Sequence, residues 1–220
     1  MIEQIKENLS KIQEKIAPYT PNIIAVTKYY GLDAILDAYS AGLRNFGESR
    51  ANEAIKKINS LPKEIKENSK FHFIGHLQSN KVNKVVKNFD FIHSIDSLHI
   101  AQTVSNEALK ISKKQKVFLQ LNNANEEQKF GFSKEELTKS FEEILSLKGL
   151  EILGLMNIAP LTDNTELLEQ LFEDVKETQM NLAIRYNCNL KEISMGMSND
   201  YPLAVKHGAT MLRIGRKLFT

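Results

Sequence analysis

The sequence has one cysteine, no tryptophan and no long apolar run. Because a disulfide needs two thiols, the lone Cys188 excludes an intrachain disulfide and fits a reducing compartment. No apolar run approaches the roughly 20 residues that cross a bilayer, and the first residues are too polar for a signal peptide. We therefore expect a cytoplasmic protein that does not associate with membranes.

The sequence also lacks a strong excess of charge of either sign. It has 29 lysines and arginines against 27 aspartates and glutamates, which gives a formal net charge of +2. Without a lysine-rich tail or a basic stripe interleaved with aromatics, we expect no nucleic-acid partner. We find no linker, repeat or extended apolar patch, so we predict one domain over residues 1–220 and a monomer.

Short apolar segments alternate with helical patterns along the chain. The first segment has apolar residues every three or four positions, which predicts a helix that ends before Pro18. Strands alternating with helices are typical of parallel βαβ units. The predicted strands are Ile23–Thr27, Arg44–Phe46, Phe71–Ile74, Phe91–Ile95, Val117–Leu121, Ile152–Met156, Glu192–Ser194 and Thr210–Ile214.

Eight such strands match the number that closes a (β/α)8 TIM barrel, so we predict this α/β fold with an extra N-terminal helix. The alternative is an open doubly wound sheet. That fold favours a glycine-rich dinucleotide fingerprint after the first strand, whereas the chain there reads "TKYYGLDA", with one glycine.

Two glycine-containing loops follow the last two predicted strands, where this fold often binds phosphate. "MGMSND" provides Gly196 and the helix-capping residue type Ser198, and "RIGRK" provides Gly215 between Arg213 and Arg216. Each loop taken alone is an ordinary helix start. Together, on adjacent strands of the predicted barrel, they favour a phosphate site.

Lys28 ends the first predicted strand, where a charge is ordinarily a solvated strand end. At a barrel mouth, partly removed from water and near other cations, a lysine can act as a neutral amine that forms a Schiff base with an aldehyde. A phosphate site on the same rim points to a phosphorylated aldehyde. Pyridoxal 5′-phosphate (PLP) fits, and a sugar phosphate bound by a Schiff-base aldolase is the competing interpretation.

An ordered set of motifs extends this hypothesis across nearly the whole chain. "AVTK", "FGE", "HFIGHLQSNK", "HSID", "NNANEEQKFGF", "GLMNIAP", "SMGMSND" and "RIGRKLF" occur in this order between Ile23 and Phe219. The set resembles the pyridoxal phosphate homeostasis protein family. The resemblance implies the barrel of the alanine racemase N-terminal domain, known as fold type III among PLP proteins.

The resemblance also implies roles for individual residues in binding PLP. Lys28 would carry PLP as a Schiff base, and Arg213 would approach the pyridine nitrogen. The phosphate would be held by Ser198 and by the backbone around Gly215 and Arg216. Three further residues are implied with less detail, two near the ring and one at the barrel mouth: Asn45, Met156 and His76.

The implied function is intracellular homeostasis of vitamin B6, in which the protein buffers PLP and passes it to apo forms of PLP-dependent enzymes. A guanidinium such as that of Arg213 keeps the pyridine nitrogen unprotonated, which makes the ring a poorer electron sink. Racemases of this fold take a second base from another domain, for which 220 residues leave no length. We therefore expect no efficient catalysis; a weak amino-acid racemase or another Schiff-base enzyme is the alternative.

The histidines and one charged run receive simpler interpretations. His72 and His76 lie on one face of a predicted strand, but no third ligand accompanies them, so we predict a packed or hydrogen-bonded pair and no metal site. For His93 and Asp96, at the end of the fourth predicted strand, the alternatives are a catalytic pair and a strand-end hydrogen bond, and we predict the hydrogen bond. The run "KKINSLPKEIKENSK" at 56–70 predicts a solvated helix and loop.

Overall fold

Eight parallel strands form a closed barrel in which each strand pairs with its neighbours in chain order and the last pairs with the first. The structure is a computed structural model that describes residues 1–124 and 130–220; part of the "NNANEEQKFGF" segment, residues 125–129, lies outside the described residues. The strands are β1 Asn22–Val26, β2 Asn45–Glu48, β3 Lys70–Phe73, β4 Phe91–Ile95, β5 Gln115–Leu121, β6 Leu150–Asn157, β7 Glu192–Ser194 and β8 Met211–Ile214.

Helices connect consecutive strands and surround the barrel, which confirms the predicted (β/α)8 fold and its extra N-terminal helix. Across the described ranges, no helix has both the length and the apolar character needed to span a bilayer. The helices are α1 Ile2–Ile16, α2 Leu32–Ser40, α3 Ala51–Ser60, α4 Lys63–Glu67, α5 Val82–Asn88, α6 Leu98–Lys110, α7 Lys134–Leu145, α8 Thr165–Arg185, α9 Tyr201–Lys206 and α10 Arg216–Phe219, with a 3-10 turn at Ser79–Lys81.

Local sequence signals fix several helix ends. Helix α1 ends at Ile16, two residues before Pro18. Gly42 follows α2 with a φ of 102°, the left-handed conformation that glycine adopts without steric cost. At the start of α7, the Ser133 hydroxyl accepts a hydrogen bond from the Glu136 N–H, and the Glu136 carboxylate accepts one from the Ser133 N–H. This reciprocal pair is a capping box.

Apolar side chains fill two separate layers. The larger layer lies between the barrel and its helices and includes the fully buried Ile35, Phe141 and Phe172. A smaller cluster occupies the barrel interior: Ile24, Phe118, Met156 and Met211. The interior is only partly apolar, because buried polar side chains project from several strands toward the same axis.

Helix α1 packs against α10, the helix that directly follows β8. The buried Asn8 amide donates hydrogen bonds to the carbonyls of Leu218 and Thr220, each over 3.2 Å. The extra N-terminal helix therefore holds the segment that begins at Gly215, one of the predicted site residues.

Candidate functional site

A cavity of about 490 Å³ opens at the carboxyl ends of β1, β7 and β8. Its volume lies within the range of small-molecule sites, and its position is the usual one for active sites in this fold. Its wall contains five residues that the sequence analysis placed in one site: Lys28, Ser198, Arg213, Gly215 and Arg216. The loop after β6, residues 158–162, completes the wall.

Lys28 lies at the centre of a tight turn that follows β1. The Tyr30 N–H donates to the Thr27 carbonyl over 3.0 Å, so that Lys28 and Tyr29 are the two central residues of the turn. Lys28 is partly buried, and its Nζ lies 5.0 Å from the centre of the Tyr29 ring. Among the described residues, Lys28 is the one lysine on the cavity wall. The cavity therefore has a single primary amine on the described part of its surface.

A second lysine fixes this turn from behind. Lys57 of α3 donates hydrogen bonds to the carbonyls of Thr27 and Tyr30, over 2.9 and 3.1 Å, and forms an ion pair with Glu48. The Glu48 carboxylate is buried and also accepts a hydrogen bond from the Thr27 hydroxyl over 2.7 Å. Sequence reasoning missed this arrangement, because Lys57 belongs to the run that was predicted to be solvated.

Ser198 and Asp200 shape the loop between β7 and α9. The Asp200 carboxylate accepts a hydrogen bond from the Met197 N–H over 2.5 Å, which folds the loop back on itself. Burial raises the pKa of Asp200, while the Met197 hydrogen bond and the charge of Arg213 oppose the rise. The Ser198 Oγ accepts from the Lys217 N–H over 3.4 Å, so that its own O–H remains available as a donor at the cavity wall.

Gly196, which the sequence analysis placed in the loop of the predicted phosphate site, packs closely against the protein's own core. It has a φ of 90°, and a Cβ at this position would lie 2.7 Å from the Ala204 Cβ and 2.8 Å from Leu212 Cδ2. The close approach that requires glycine is thus within the protein, against α9 and β8. Gly215, by contrast, does lie on the cavity wall.

Arg213 is buried on the side of the cavity formed by β8. Its Nη1 donates to the carbonyl and hydroxyl of Ser194 over 2.7 and 2.8 Å, and its Nη2 donates to the Asn157 carbonyl over 2.7 Å. Burial lowers the pKa of Arg213 to about 10, with a partial offset from Asp200. The group thus stays cationic at neutral pH. A guanidinium has five N–H donors, so two remain beyond these three hydrogen bonds.

A row of buried polar side chains runs from Arg213 through the barrel interior. The Ser194 hydroxyl lies 2.8 Å from His93 Nδ1, and His93 Nε2 lies 2.9 Å from His72 Nδ1. His72 Nε2 lies 3.1 Å from the Asn45 Oδ1. Both rings also stack on phenylalanines, His72 on Phe91 and His93 on Phe118.

The direction of every hydrogen bond in this row follows from the acceptor at its far end, the Asn45 Oδ1. An amide oxygen only accepts, so His72 Nε2 must donate to Asn45. His72 Nδ1 then accepts from His93 Nε2, and His93 Nδ1 accepts from the Ser194 hydroxyl. Burial lowers the pKa of His72 to about 3, and burial lowers the pKa of His93 well below its ordinary value. Both rings are therefore neutral and carry their proton on Nε2 at neutral pH.

Three predicted site residues lie away from the cavity wall. The expectation for Asn45 is wrong in position: it begins β2 and thus lies at the opposite end of the barrel, because the strand starts one residue later than predicted and continues to Glu48. Met156 lies near the end of β6, but its side chain packs in the barrel interior. His76 lines a smaller neighbouring cavity of about 160 Å³, stacked on Phe130.

The histidine partners also differ from those predicted. His72 bonds to His93 rather than pairing with His76, and the His76 Nδ1 lies 2.9 Å from the Asp96 carboxylate. Strand-to-strand contacts across the barrel, which sequence spacing does not contain, determine these pairs. In the residues that the structure describes, no group of three or more potential metal ligands is found. Cys188 is a partly buried packing residue whose pKa is raised by burial.

Comparisons with known proteins agree with this geometry. The family model described as "Alanine racemase, N-terminal domain" matches residues 2–220. The solved alanine racemase of Clostridium difficile 630 has a TM-score of 0.82 at 15% identity over 99% of this chain and 56% of that chain, which shows a shared fold. The chain is thus a barrel of the alanine racemase N-terminal type.

More similar proteins narrow this class. A relative from Synechocystis sp. PCC 6803, named pyridoxal phosphate homeostasis protein, is 41% identical over 212 residues, which is 96% of each chain. PipY from Synechococcus elongatus PCC7942, solved with PLP bound, is 36% identical with a TM-score of 0.88 over 98% of this chain and 100% of that one. The chain belongs to the pyridoxal phosphate homeostasis protein family.

Proposed function

We propose that this protein binds PLP in the 490 Å³ cavity and holds it on Lys28 as part of PLP homeostasis. The observation that carries the proposal is that an amine, a hydroxyl and a buried guanidinium share the wall of this cavity: Lys28, Ser198 and Arg213. The PLP-bound structure of PipY, a relative at 36% identity, supports it.

The donor set fits each part of the PLP molecule. PLP supplies an aldehyde, which condenses with the Lys28 amine to a Schiff base and releases one water molecule. The Ser198 hydroxyl and the backbone around Gly215 and Arg216 suit the phosphate. The N–H groups that Arg213 does not use within the protein suit the pyridine nitrogen.

The experiment is a visible absorption spectrum of the protein incubated with PLP, before and after borohydride reduction. We expect a Schiff-base band in the wild type and a reduced adduct that mass mapping places on Lys28. Lys28→Ala abolishes the band, whereas Lys84→Ala, which removes an exposed lysine of α5, retains it. A band that persists in Lys28→Ala would contradict the proposal.

We propose that the protein carries PLP and does not catalyse a reaction with it efficiently. The buried cation of Arg213 disfavours a protonated pyridine, and an unprotonated ring stabilises a carbanion poorly. Incubation of the PLP-loaded protein with L-alanine in deuterated water tests this. We expect no exchange of the Cα hydrogen at an enzymatic rate; rapid exchange would show instead that the protein is a racemase-like enzyme.

The proposal also covers the extent of the domain, the cellular compartment and the recipients of PLP. The protein acts as one PLP-binding domain over residues 1–220, in the cytoplasm, with apo PLP-dependent enzymes as recipients. The family of its relatives supports a homeostatic role, and the free thiol of Cys188 is compatible with a reducing compartment. Transfer of PLP to an apoenzyme faster than its dissociation into bulk solution is the expected result.

A further inference from the structure

The turn that carries Lys28 is fixed by a buried ion pair that does not itself line the cavity. Lys57 Nζ bonds to the carbonyls of Thr27 and Tyr30, the first and last residues of the turn, over 2.9 and 3.1 Å. Lys28 lies between these two carbonyls in the chain. One ammonium group thus joins both ends of the turn.

Glu48 compensates the charge of Lys57 and adds a further attachment. Its side chain is 1% exposed and that of Lys57 is 15% exposed, so water contributes little to the solvation of either group. The Glu48 carboxylate accepts from the Thr27 hydroxyl over 2.7 Å, and the Thr27 N–H donates to the Gly47 carbonyl over 3.0 Å. The turn is therefore attached to β2 as well as to α3.

Burying the ion pair of Lys57 and Glu48 has a free-energy cost, and packing of the core does not require charged residues here. Removing two charges from water is unfavourable unless their geometry and remaining hydrogen bonds are good, and apolar residues of similar size often serve a core equally well. Here the acceptors of the ammonium, apart from Glu48, are the two carbonyls that bracket Lys28. The contacts suit a function in the turn rather than in the general core.

From these contacts we propose that Lys57 and Glu48 are positioning residues for Lys28. They hold the turn so that the Lys28 amine meets the PLP aldehyde at a bonding distance, while the phosphate and ring contacts do not depend on them. This inference rests on the proposed function. An error of about 1 Å in the placement of a reacting group can slow a reaction roughly a hundredfold.

The test separates covalent capture from cavity binding by using two ligands. PLP has the aldehyde, and pyridoxine 5′-phosphate has an alcohol in its place and forms no Schiff base. For Lys57→Met we expect Schiff-base formation with PLP to slow by roughly tenfold to a hundredfold. The dissociation constant of pyridoxine 5′-phosphate, measured by calorimetry, should stay within about twofold of the wild-type value, because Lys57 lies behind the turn. Lys56→Met, which removes the exposed neighbour on the same helix, should change neither value.

Unpairing a buried charge can prevent folding, so the double variant Glu48→Gln, Lys57→Met is measured in parallel. It leaves no unpaired charge but loses the ammonium, and we expect the same slow Schiff-base formation with retained binding of pyridoxine 5′-phosphate. Wild-type rates in a folded double variant would overturn the inference. Equal loss of both ligands would also overturn it, since the pair would then support the whole cavity.

Failure of this inference can be distinguished from failure of the proposed function. If the wild type forms no Schiff base, or if Lys28→Ala still forms one, the proposed function is wrong. If the wild type forms it on Lys28 and the Lys57 variants form it equally fast, only the positioning role is wrong.

Discussion

At the scale of single residues, Arg213 combines two tasks. Three of its hydrogen bonds go to oxygen atoms of Ser194 and Asn157, and these fix the plane of the guanidinium against β6 and β7. The cation remains on the wall of the cavity. A lysine has the charge but not the planar fork, so it cannot reproduce both sets of contacts.

Arg213→Lys is therefore expected to change the visible absorption band of bound PLP more than it changes occupancy, because the contact to the ring is altered while the phosphate contacts remain. Titration with PLP followed by absorption gives both quantities. Arg216→Lys is the matched control, since Arg216 lies on the same wall near the proposed phosphate contacts. A band that shifts equally in both variants would contradict the assignment of Arg213 to the ring.

At the scale of secondary-structure elements, α1 is connected to the site through α10. The Asn8 amide provides two hydrogen bonds to carbonyls at the end of α10, over a separation of more than 200 residues in the chain. Gly215 and Arg216 begin the same short segment. The N-terminal helix thus stabilises a segment whose other end lies on the cavity wall.

Asn8→Ala is expected to cost about 1–2 kcal/mol of unfolding free energy, because the Leu218 carbonyl loses its donor in a buried place and the Thr220 carbonyl in a partly buried one. It should also increase hydrogen exchange at the amides of Leu218 and Phe219. Urea unfolding and exchange measurements test both effects. Gln13→Ala, on the exposed face of the same helix, should leave both unchanged. Unaltered exchange in Asn8→Ala would show that α10 is held by its apolar contacts alone.

Elements were easier to predict from the sequence than the contacts between them. Apolar strands and helical apolar periodicity are local signals, and the alternation of the two predicted the barrel. The prediction of where Asn45 lies was wrong, because the start of β2 depends on its pairing with β3. The His72–His93 contact depends on barrel closure, and Lys57 is indistinguishable by composition from the exposed lysines around it.

At the scale of the whole molecule, the buried histidines make stability depend on pH. The folded protein keeps His72 neutral down to a pKa of about 3, whereas in the unfolded chain a histidine takes up a proton below about pH 6.5. The unfolded state thus binds more protons as the pH falls, and this favours unfolding. The contribution of His72 to the unfolding free energy is therefore fully present above about pH 6.5 and is lost progressively as the pH falls toward 3.

We expect the unfolding free energy to fall by about 1 kcal/mol per pH unit for each of His72 and His93 below pH 6.5. Urea unfolding at pH 7.5, 6.5 and 5.5 measures the slope in a range where carboxylates titrate little. His93→Gln, whose amide can accept from Ser194 and donate to His72, should reduce the slope. An unchanged slope in this variant would mean that other groups cause the acid sensitivity.

The row of side chains between Arg213 and Asn45 ends on an amide oxygen, and an amide oxygen has no proton to pass on. A proton released in the cavity therefore has no exit through the barrel along this row. The row holds the guanidinium in its orientation but does not transfer protons. The cavity has the exposed Tyr29 on its wall. We expect protons and ligand to exchange with the solvent on this side of the cavity.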